Sequence, residues 1–566
     1  MKNVAQQLID NYQKNPDQPA LYLLFNRQED QPITWTQLLS GASGYAQALA
    51  AAGVLPGEVV ILILQHGESL IDAFFGAILH GSIPSIMPFL TEKLSPEQYR
   101  RSLSALFQIT APAAVITYPA FEAEVRQGIA DSTIDGVNSV RKLLLDADIQ
   151  AVHPAGLDRL AGFNRLPSEI VLLQHSSGTT GLQKGVALSH QAVFNQLESY
   201  AKSLSLTGED KIISWLPLYH DMGLIAGFLM PLLLKVPLVL MSPFDWVRSP
   251  ARLLQAVSQY KGTLSWLPNF AYNFCAQKIR ERDLEGVDLS SWRAVINCSE
   301  PMYFRSHQMF LERFQSYGFK KEALATCYAM AENVFAVTQG GIQSPATVDR
   351  ISQNAYFSEK MARPASGDEP FIAMLSAGLP IEGTHVCIFS DQLEKLPERQ
   401  IGEIALKSNC MLTGYYNRLD ATEKAFHQGW YLTGDLGYMA NDEVYVTGRK
   451  KDLIIVGGKN IYPQDLENLA SEVPGIYPGR TVAFGVANED SGTEDVVIVA
   501  EADDTLSLQH KEVLENQIRQ YVTRSSDIAL RFVKVVDHGW LLKTSSGKIA
   551  RSANREKYLK ELSQEV

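Results

Sequence analysis

An α/β architecture with largely parallel sheets is what this sequence predicts, and two patterns carry the prediction. Short apolar runs of strand length, such as residues 59–64 (VVILIL), 114–117, 236–241 and 294–297, recur along most of the chain. Between them lie segments such as residues 69–80, with apolar side chains at helical spacing. Strands that alternate with helices tend to return in parallel, with the helices covering the sheet. At 566 residues the chain is too long for one hydrophobic core, so two or more domains are expected.

From Pro380 the pattern changes. Residues 386–389, 402–407 and 444–447 read as strands of a smaller β-rich subdomain, ending at the basic junction Gly448-Arg449-Lys450-Lys451-Asp452. Beyond it the chain is again mixed, with strands expected near 453–456, 482–486 and 496–501 and a helix near 509–522. The boundary is therefore placed between Lys450 and Lys451, giving domains 1–450 and 451–566. Residues 224–241 (LIAGFLMPLLLKVPLVLM) approach the length of a membrane span, but contain Lys235, Pro231 and Pro237. A buried helix, a turn at Lys235 and a buried strand are expected there.

A net charge of −12 argues against a broad basic surface for nucleic acid. Five cysteines without CxxC spacing argue against a disulfide framework and a zinc site. The N-terminal residues lack the apolar core of a signal peptide, so a cytoplasmic location is expected.

The clearest chemical segment is VLLQHSSGTTGLQKGV, residues 171–186. An apolar strand leads into Ser176-Ser177-Gly178-Thr179-Thr180-Gly181, followed by Lys184. A polyphosphate requires close backbone N–H groups, hydroxyl donors and a cation, and this loop offers all three. It does not match the Walker spacing. A surface loop with a chance lysine would carry the same residues. Downstream, WLPLYHDMG sets His220 at a strand-to-helix turn, able to bond an anionic oxygen or to cap the helix. NCSEP contains Ser299, Glu300 and Pro301, and CYAMAE contains Tyr328, Ala329, Met330 and Glu332. An aromatic face suits a purine, and a carboxylate suits a hard cation on phosphates. Alone, Tyr328 reads equally as a core tyrosine and Glu332 as a solvated charge. GWYLTGDLG supplies Asp435, YVTGRKKD supplies Arg449, and KTSSGKIAR supplies Lys548 on a Gly-flanked loop.

In this order, the segments resemble the signatures of the adenylate-forming superfamily of acyl-CoA synthetases, peptide-synthetase adenylation domains, luciferases and fatty acyl-AMP ligases. The resemblance implies a large N-terminal domain of two α/β subdomains plus the β-rich one, followed by a small mobile α+β C-terminal domain. It implies ATP and Mg²⁺. Ser176, Ser177, Gly178, Thr179, Thr180 and Gly181 would hold phosphates. Ser299, Glu300, Pro301, Tyr328, Ala329 and Met330 would line the adenine slot. Asp435 and Arg449 would hold the ribose, and Glu332 and Thr180 the metal. Lys548, His220 and Lys184 would be the catalytic residues, and Lys451 the hinge for rotation between half-reactions. Two departures stand out. Cys298 and Ser299 replace the usual Gly and Ala, and Leu542 stands where the family has proline.

The expected acyl pocket is apolar: Gly223, Leu224, Gly227, Trp266, Asn269, Phe270 and Tyr272. No acidic residue is evidently placed for an α-amino group, so a fatty acid is the expected substrate. LPLYHDMGLI, PNFAY, NIYPQDLE and an interval long enough for an extra segment within 347–370 look most like the fatty acyl-AMP ligase branch. That branch delivers acyl groups to the phosphopantetheine thiol of a holo acyl carrier protein. SSGTTGLQKG and Gly457-Gly458 look more like acyl-CoA synthetases, so coenzyme A is the alternative acceptor. A non-catalytic lipid or nucleotide binder is the remaining alternative.

Overall fold

The computed structural model describes residues 2–26, 28–89, 96–133, 138–175, 184–342, 344–456, 459–488, 493–502, 506–526, 530–544 and 547–565. The protein is α/β, with a large N-terminal domain and a smaller C-terminal one. One subdomain is built on a seven-stranded sheet ordered Leu324–Cys327, Ala294–Cys298, Leu264–Leu267, Ile212–Ser214, Leu238–Met241, Pro19–Leu24 and Gln31–Thr34. All its pairings are parallel except the last. A second subdomain has a four-stranded parallel sheet, Ile83–Ile86, Val59–Ile63, Ala114–Thr117 and Lys142–Leu145. The first three of these strands are buried on both faces, which explains their unbroken apolar runs, and the edge strand Lys142–Leu145 is partly exposed.

Helices Trp35–Ala51 and Glu68–His80 pack closely. Thr34 caps the first: its hydroxyl accepts from the Gln37 N–H at 3.2 Å, and the Gln37 side chain accepts from the Thr34 N–H at 2.8 Å. Glycines permit the approach. A Cβ on Gly76 would stand 2.4 Å from Tyr45 Cβ, and one on Gly41 would strike the Asp72 carboxylate.

Residues 224–241 follow the expected order but wind differently. Met222–Leu229 is π-helical and passes into the α-helix Met230–Leu234. Lys235 then turns in the left-handed region, and Leu238–Met241 forms the strand. Pro231 supplies no N–H to the helical ladder, and the wider turns precede it. No helix among the described residues is long and apolar enough to cross a membrane.

The β-rich part is an antiparallel sheet of Thr384–Phe389, Gly402–Ser408, Trp430–Ala440, Phe426–His427 and Glu443–Arg449. A short turn, Lys450–Asp452, leads out of it. Beyond lie the sheet Ile476–Asn488, Thr493–Ala502 and Phe532–Val536 and the helices Pro463–Ser471, Leu508–Ser526 and Arg551–Glu565. This part has its own core, including Leu466, Ile498, Ile518 and Val535. One further cluster joins the two parts. Ile351, Tyr356, Leu436, Tyr438 and Tyr445 pack with Tyr462 of the C-terminal part.

Candidate active site

Antiparallel register sets Asp435 directly opposite Arg449. Arg449 Nε donates to Asp435 Oδ1 at 3.0 Å. Tyr328, one residue past the strand Leu324–Cys327, donates its hydroxyl to Oδ2 at 2.7 Å. Both carboxylate oxygens are thus oriented by donors. The charge of Asp435 raises the Arg449 pKa, and burial raises that of Tyr328, so the cation and the phenol both persist.

Glu332 is buried on the short turn Ala331–Asn333. Its Oε1 accepts from the Tyr415 hydroxyl at 2.8 Å, and the Tyr415 and Tyr431 hydroxyls lie 2.8 Å apart. Burial pushes the Glu332 pKa up, so a nearby cation would favour its ionised form. Lys184 Nζ stands 4.6 Å from the centroid of the Tyr415 ring. Ser176, Ser177, Gly178, Thr179, Thr180 and Gly181 lie outside the described residues.

His220 Nδ1 lies 2.6 Å from Asp221 Oδ1, which also accepts from the Met222 N–H at 2.8 Å at the start of the π-helix. Burial pushes the Asp221 carboxyl up, but His220, Lys548 and the Met222 N–H outweigh it and hold it below the usual range. Ser299 follows the strand Ala294–Cys298 with φ 69°, a left-handed conformation at a non-glycine residue. Glu300 accepts from the Phe270 N–H at 3.0 Å, and Pro301 is exposed. Ala329 bridges to Ala336, and the Met330 N–H donates to the Phe335 carbonyl at 2.8 Å.

Lys548 comes from the C-terminal part and ends among these residues. Burial lowers its pKa, while the charges of Glu300 and Asp221 oppose the shift and Arg449 adds to it. Its loop is closed by the Thr544 N–H donating to the Lys548 carbonyl at 2.8 Å. Leu542, where the family has proline, donates its N–H to Asn554 Oδ1 at 2.8 Å and accepts from Nδ2 at 2.9 Å. Proline could not make the first bond. The two bonds tether the loop at Leu542 to the helix Arg551–Glu565. Three residues after Lys548, Arg551 binds Asp452 at 2.6 Å and both oxygens of Glu467 at 2.7 and 3.0 Å, tying this loop to the turn that holds Lys451.

The residues expected to line an acyl pocket are buried, apart from the half-buried Phe270. Gly223 and Gly227 seat the π-helix: added Cβ atoms would meet the Pro217 carbonyl at 2.2 Å and Ser214 Oγ at 2.6 Å. Leu224 is buried on the same helix. Trp266 Nε1 donates to the Tyr200 hydroxyl at 2.8 Å, and Tyr272 donates its hydroxyl to the Val295 carbonyl at 2.9 Å. Asn269 Oδ1 accepts from Asn297 and from the Tyr303 N–H. Internal packing accounts for all five of Gly223, Gly227, Trp266, Asn269 and Tyr272. Phe270 is half-buried, edge-on to the stacked Trp215 and Trp246 rings. Sequence reading missed Asp221, Tyr415 and Tyr431 as site residues. Asp221 adjoins His220 and was open to notice, whereas nothing near Tyr415 in the chain points to Glu332.

Comparison with known proteins identifies the family. The AMP-binding enzyme family matches residues 8–416. The chain is 34% identical over 522 residues to the medium-chain-fatty-acid–[acyl-carrier-protein] ligase JamA of Moorena producens (strain JHB), covering 89% of this chain and 86% of that one. It is 30% identical to the long-chain-fatty-acid–AMP ligase FadD26 of Mycobacterium marinum (strain ATCC BAA-535 / M), covering 93% and 91%. A solved chain from structural studies of fatty acyl-adenylate ligases from E. coli and L. pneumophila superposes with a TM-score of 0.89 at 24% identity, covering 100% and 99%, and so shares the fold. With the family match spanning residues 8–416 and relatives at 30% identity or more over most of their length, the chain belongs to the AMP-binding enzyme family and is an adenylate-forming ligase.

Proposed function

We propose that this ligase activates a fatty acid with ATP and transfers the acyl group to the phosphopantetheine thiol of a holo acyl carrier protein. The observation that carries the reading is the Asp435 carboxylate, oriented by Arg449 and Tyr328, with Arg449 also acting on the buried Lys548 of the C-terminal part, together with Glu300 and Asp221. The names of JamA and FadD26 support the substrate class.

In this reading a carboxylate oxygen attacks the α-phosphorus, the bond to pyrophosphate breaks, and an acyl-adenylate forms. The task is to hold two anions in line, which needs positive charge and preorganised donors more than a strong base. Lys548 neutralises charge on the α-phosphate and the attacking carboxylate. His220, held by Asp221, donates to one of those oxygens. Asp435 accepts from the ribose hydroxyls while Arg449 and Tyr328 fix its orientation, and Tyr328 presents its ring to the adenine. Lys184 faces the phosphates. Glu332 fits Mg²⁺, which binds through one or two carboxylates plus phosphate and water oxygens. Thr180 is the second candidate ligand. Bound there, the metal would supply charge for the departing phosphates. A thiol then attacks the acyl carbonyl, and AMP leaves.

Support for a carrier protein over free coenzyme A comes from the segment 347–370. It forms the strand Val348–Ser352 and the helix Gln353–Glu359. Tyr356 donates to Asp465 at 3.4 Å and its ring lies 5.3 Å from that of Tyr462, while Gln353 bonds the Ser525 carbonyl. This grip across the boundary at 450 and 451 restrains rotation about Lys451 without forbidding it, and a carrier protein that docks on the enzyme has more binding energy to offset that restraint than free coenzyme A. Purified protein given ATP, Mg²⁺ and fatty acids of varied length tests the reading. Pyrophosphate release is expected, with acyl-adenylate persisting beside coenzyme A and consumed by holo carrier protein. Rapid acyl-CoA formation defeats the acceptor assignment. No pyrophosphate with any carboxylate defeats the whole reading.

A further inference from the structure

Tyr415 lies far along the chain from Glu332 and Lys184, yet it touches both. Its two-residue strand, Gly414–Tyr415, pairs antiparallel with Gly185–Ser189, the strand that leaves the phosphate loop. The register is tight on both sides: the Thr413 N–H donates to the Ala187 carbonyl at 2.9 Å, and the Tyr416 N–H donates to the Gly185 carbonyl at 2.7 Å. The same stretch grips the backbone of Glu332, whose carbonyl accepts from the Leu412 N–H at 2.8 Å. From this frame the Tyr415 hydroxyl donates to Glu332 Oε1 at 2.8 Å, steadied by the Tyr431 hydroxyl, and the ring lies 4.6 Å from Lys184 Nζ. The side chain is buried, so one rigid phenol sets the spacing between an anion and a cation that come from distant parts of the chain.

We propose that Tyr415 is a positioning residue that holds Glu332 and Lys184 in a fixed mutual arrangement, with the hydroxyl serving Glu332 and the ring serving Lys184. The inference rests on the reading of Glu332 as the carboxylate for the ATP-bound divalent cation and of Lys184 as a phosphate contact. It divides the tyrosine into two separable parts. Tyr415→Phe keeps the ring and removes the donor. Tyr415→Leu removes both.

The test measures binding, not turnover. Mn²⁺ is titrated by electron paramagnetic resonance in the presence of α,β-methylene-ATP, and metal-free binding of the same nucleotide is measured by calorimetry. For Tyr415→Phe, the Mn²⁺ half-saturation is expected to rise about tenfold, as for loss of one hydrogen bond to a charged group, with metal-free nucleotide affinity unchanged. For Tyr415→Leu, metal-free nucleotide affinity is expected to fall as well, by about threefold or more. Tyr431→Phe retains the Tyr415 contact to Glu332 and is expected to show a smaller change than Tyr415→Phe. Wild-type Mn²⁺ binding in Tyr415→Phe overturns the proposal, as does equal behaviour of a folded Leu variant and the Phe variant. Should the Leu variant not fold, the Phe variant alone decides. If the wild-type protein binds no nucleotide, the proposed function fails along with the inference. If it binds nucleotide and Tyr415→Phe changes nothing, only the inference fails.

Discussion

Lys548 sits between opposed influences: burial disfavours its ammonium, and the carboxylates of Glu300 and Asp221 favour it. The net pKa lies below the ordinary lysine value of 10.5. The charged form is therefore lost at a lower pH than for a solvated lysine. Activity that depends on it, followed as kcat/KM for ATP in pyrophosphate exchange, should fall on the alkaline side before the ordinary lysine range is reached. A profile flat through that range would remove Lys548 from the rate-determining chemistry. Lys548→Ala should slow adenylation about a hundredfold or more, the scale of losing one charge-stabilising donor, while leaving thiolysis of supplied acyl-adenylate nearly intact. At this scale the sequence offered candidates wherever a residue sits in a compact motif, as Asp435, Glu332 and Lys548 do. Asp435 and Arg449 are fourteen positions apart but face each other through strand register, and their pairing could be anticipated. Tyr415 and Glu332 are 83 positions apart and meet only through tertiary packing.

The helix pair Trp35–Ala51 and Glu68–His80 carries two predictions of its own. Gly76 faces Tyr45 and the Ala42 carbonyl at distances no side chain tolerates. Gly76→Val should destabilise the protein by about 1–3 kcal/mol in denaturant melts, through overpacking. Asp72 is buried on the same pair, its Oδ1 without a hydrogen-bond partner among the described residues, and burial followed by the charge of Glu68 pushes its pKa up to about 8. The folded state keeps a proton that the unfolded chain loses near 3.8, so stability drains away as pH rises between those values. Asp72→Asn should remove that slope. The variant's stability relative to wild type should then be greater at pH 8 than at pH 5, by roughly 2 kcal/mol or more. An equal difference at both pH values would show that Asp72 ionises normally. Elements were legible where their periodicity is one-sided. Met222–Leu229 is buried on every side, so its composition marks a buried helix but not the π winding. Strand order was likewise hidden. Pro19–Leu24 inserts beside Leu238–Met241, a choice made by packing across the whole domain.

Across the whole molecule, the proposed function asks the small domain to deliver Lys548 and then withdraw it. In the structure Lys548 is under the influence of Glu300, Asp221 and Arg449, and Arg551 ties its loop to Asp452 beside Lys451. Lys451→Pro should leave adenylation largely intact and impair transfer to the carrier thiol, and equal loss of both half-reactions would place the pivot elsewhere. Tyr356 grips the C-terminal part through Asp465 and Tyr462. Tyr356→Ala should loosen that grip and raise acyl-CoA formation above the wild-type level, as measured by thioester yield with free coenzyme A. The two-part organisation could be read from the basic junction at residues 448–452. The cluster that locks the parts together could not, because Ile351, Tyr438 and Tyr462 come from three separate segments. The most direct measurement is a crystal structure with a non-hydrolysable acyl-sulfamoyl-adenosine. Asp435 should bond the ribose hydroxyls, and the Lys548 ammonium should contact the sulfamoyl oxygens that replace the α-phosphate. A nucleoside bound away from Asp435, or a Lys548 side chain turned out of the cleft, would contradict the convergence on which the proposed chemistry rests.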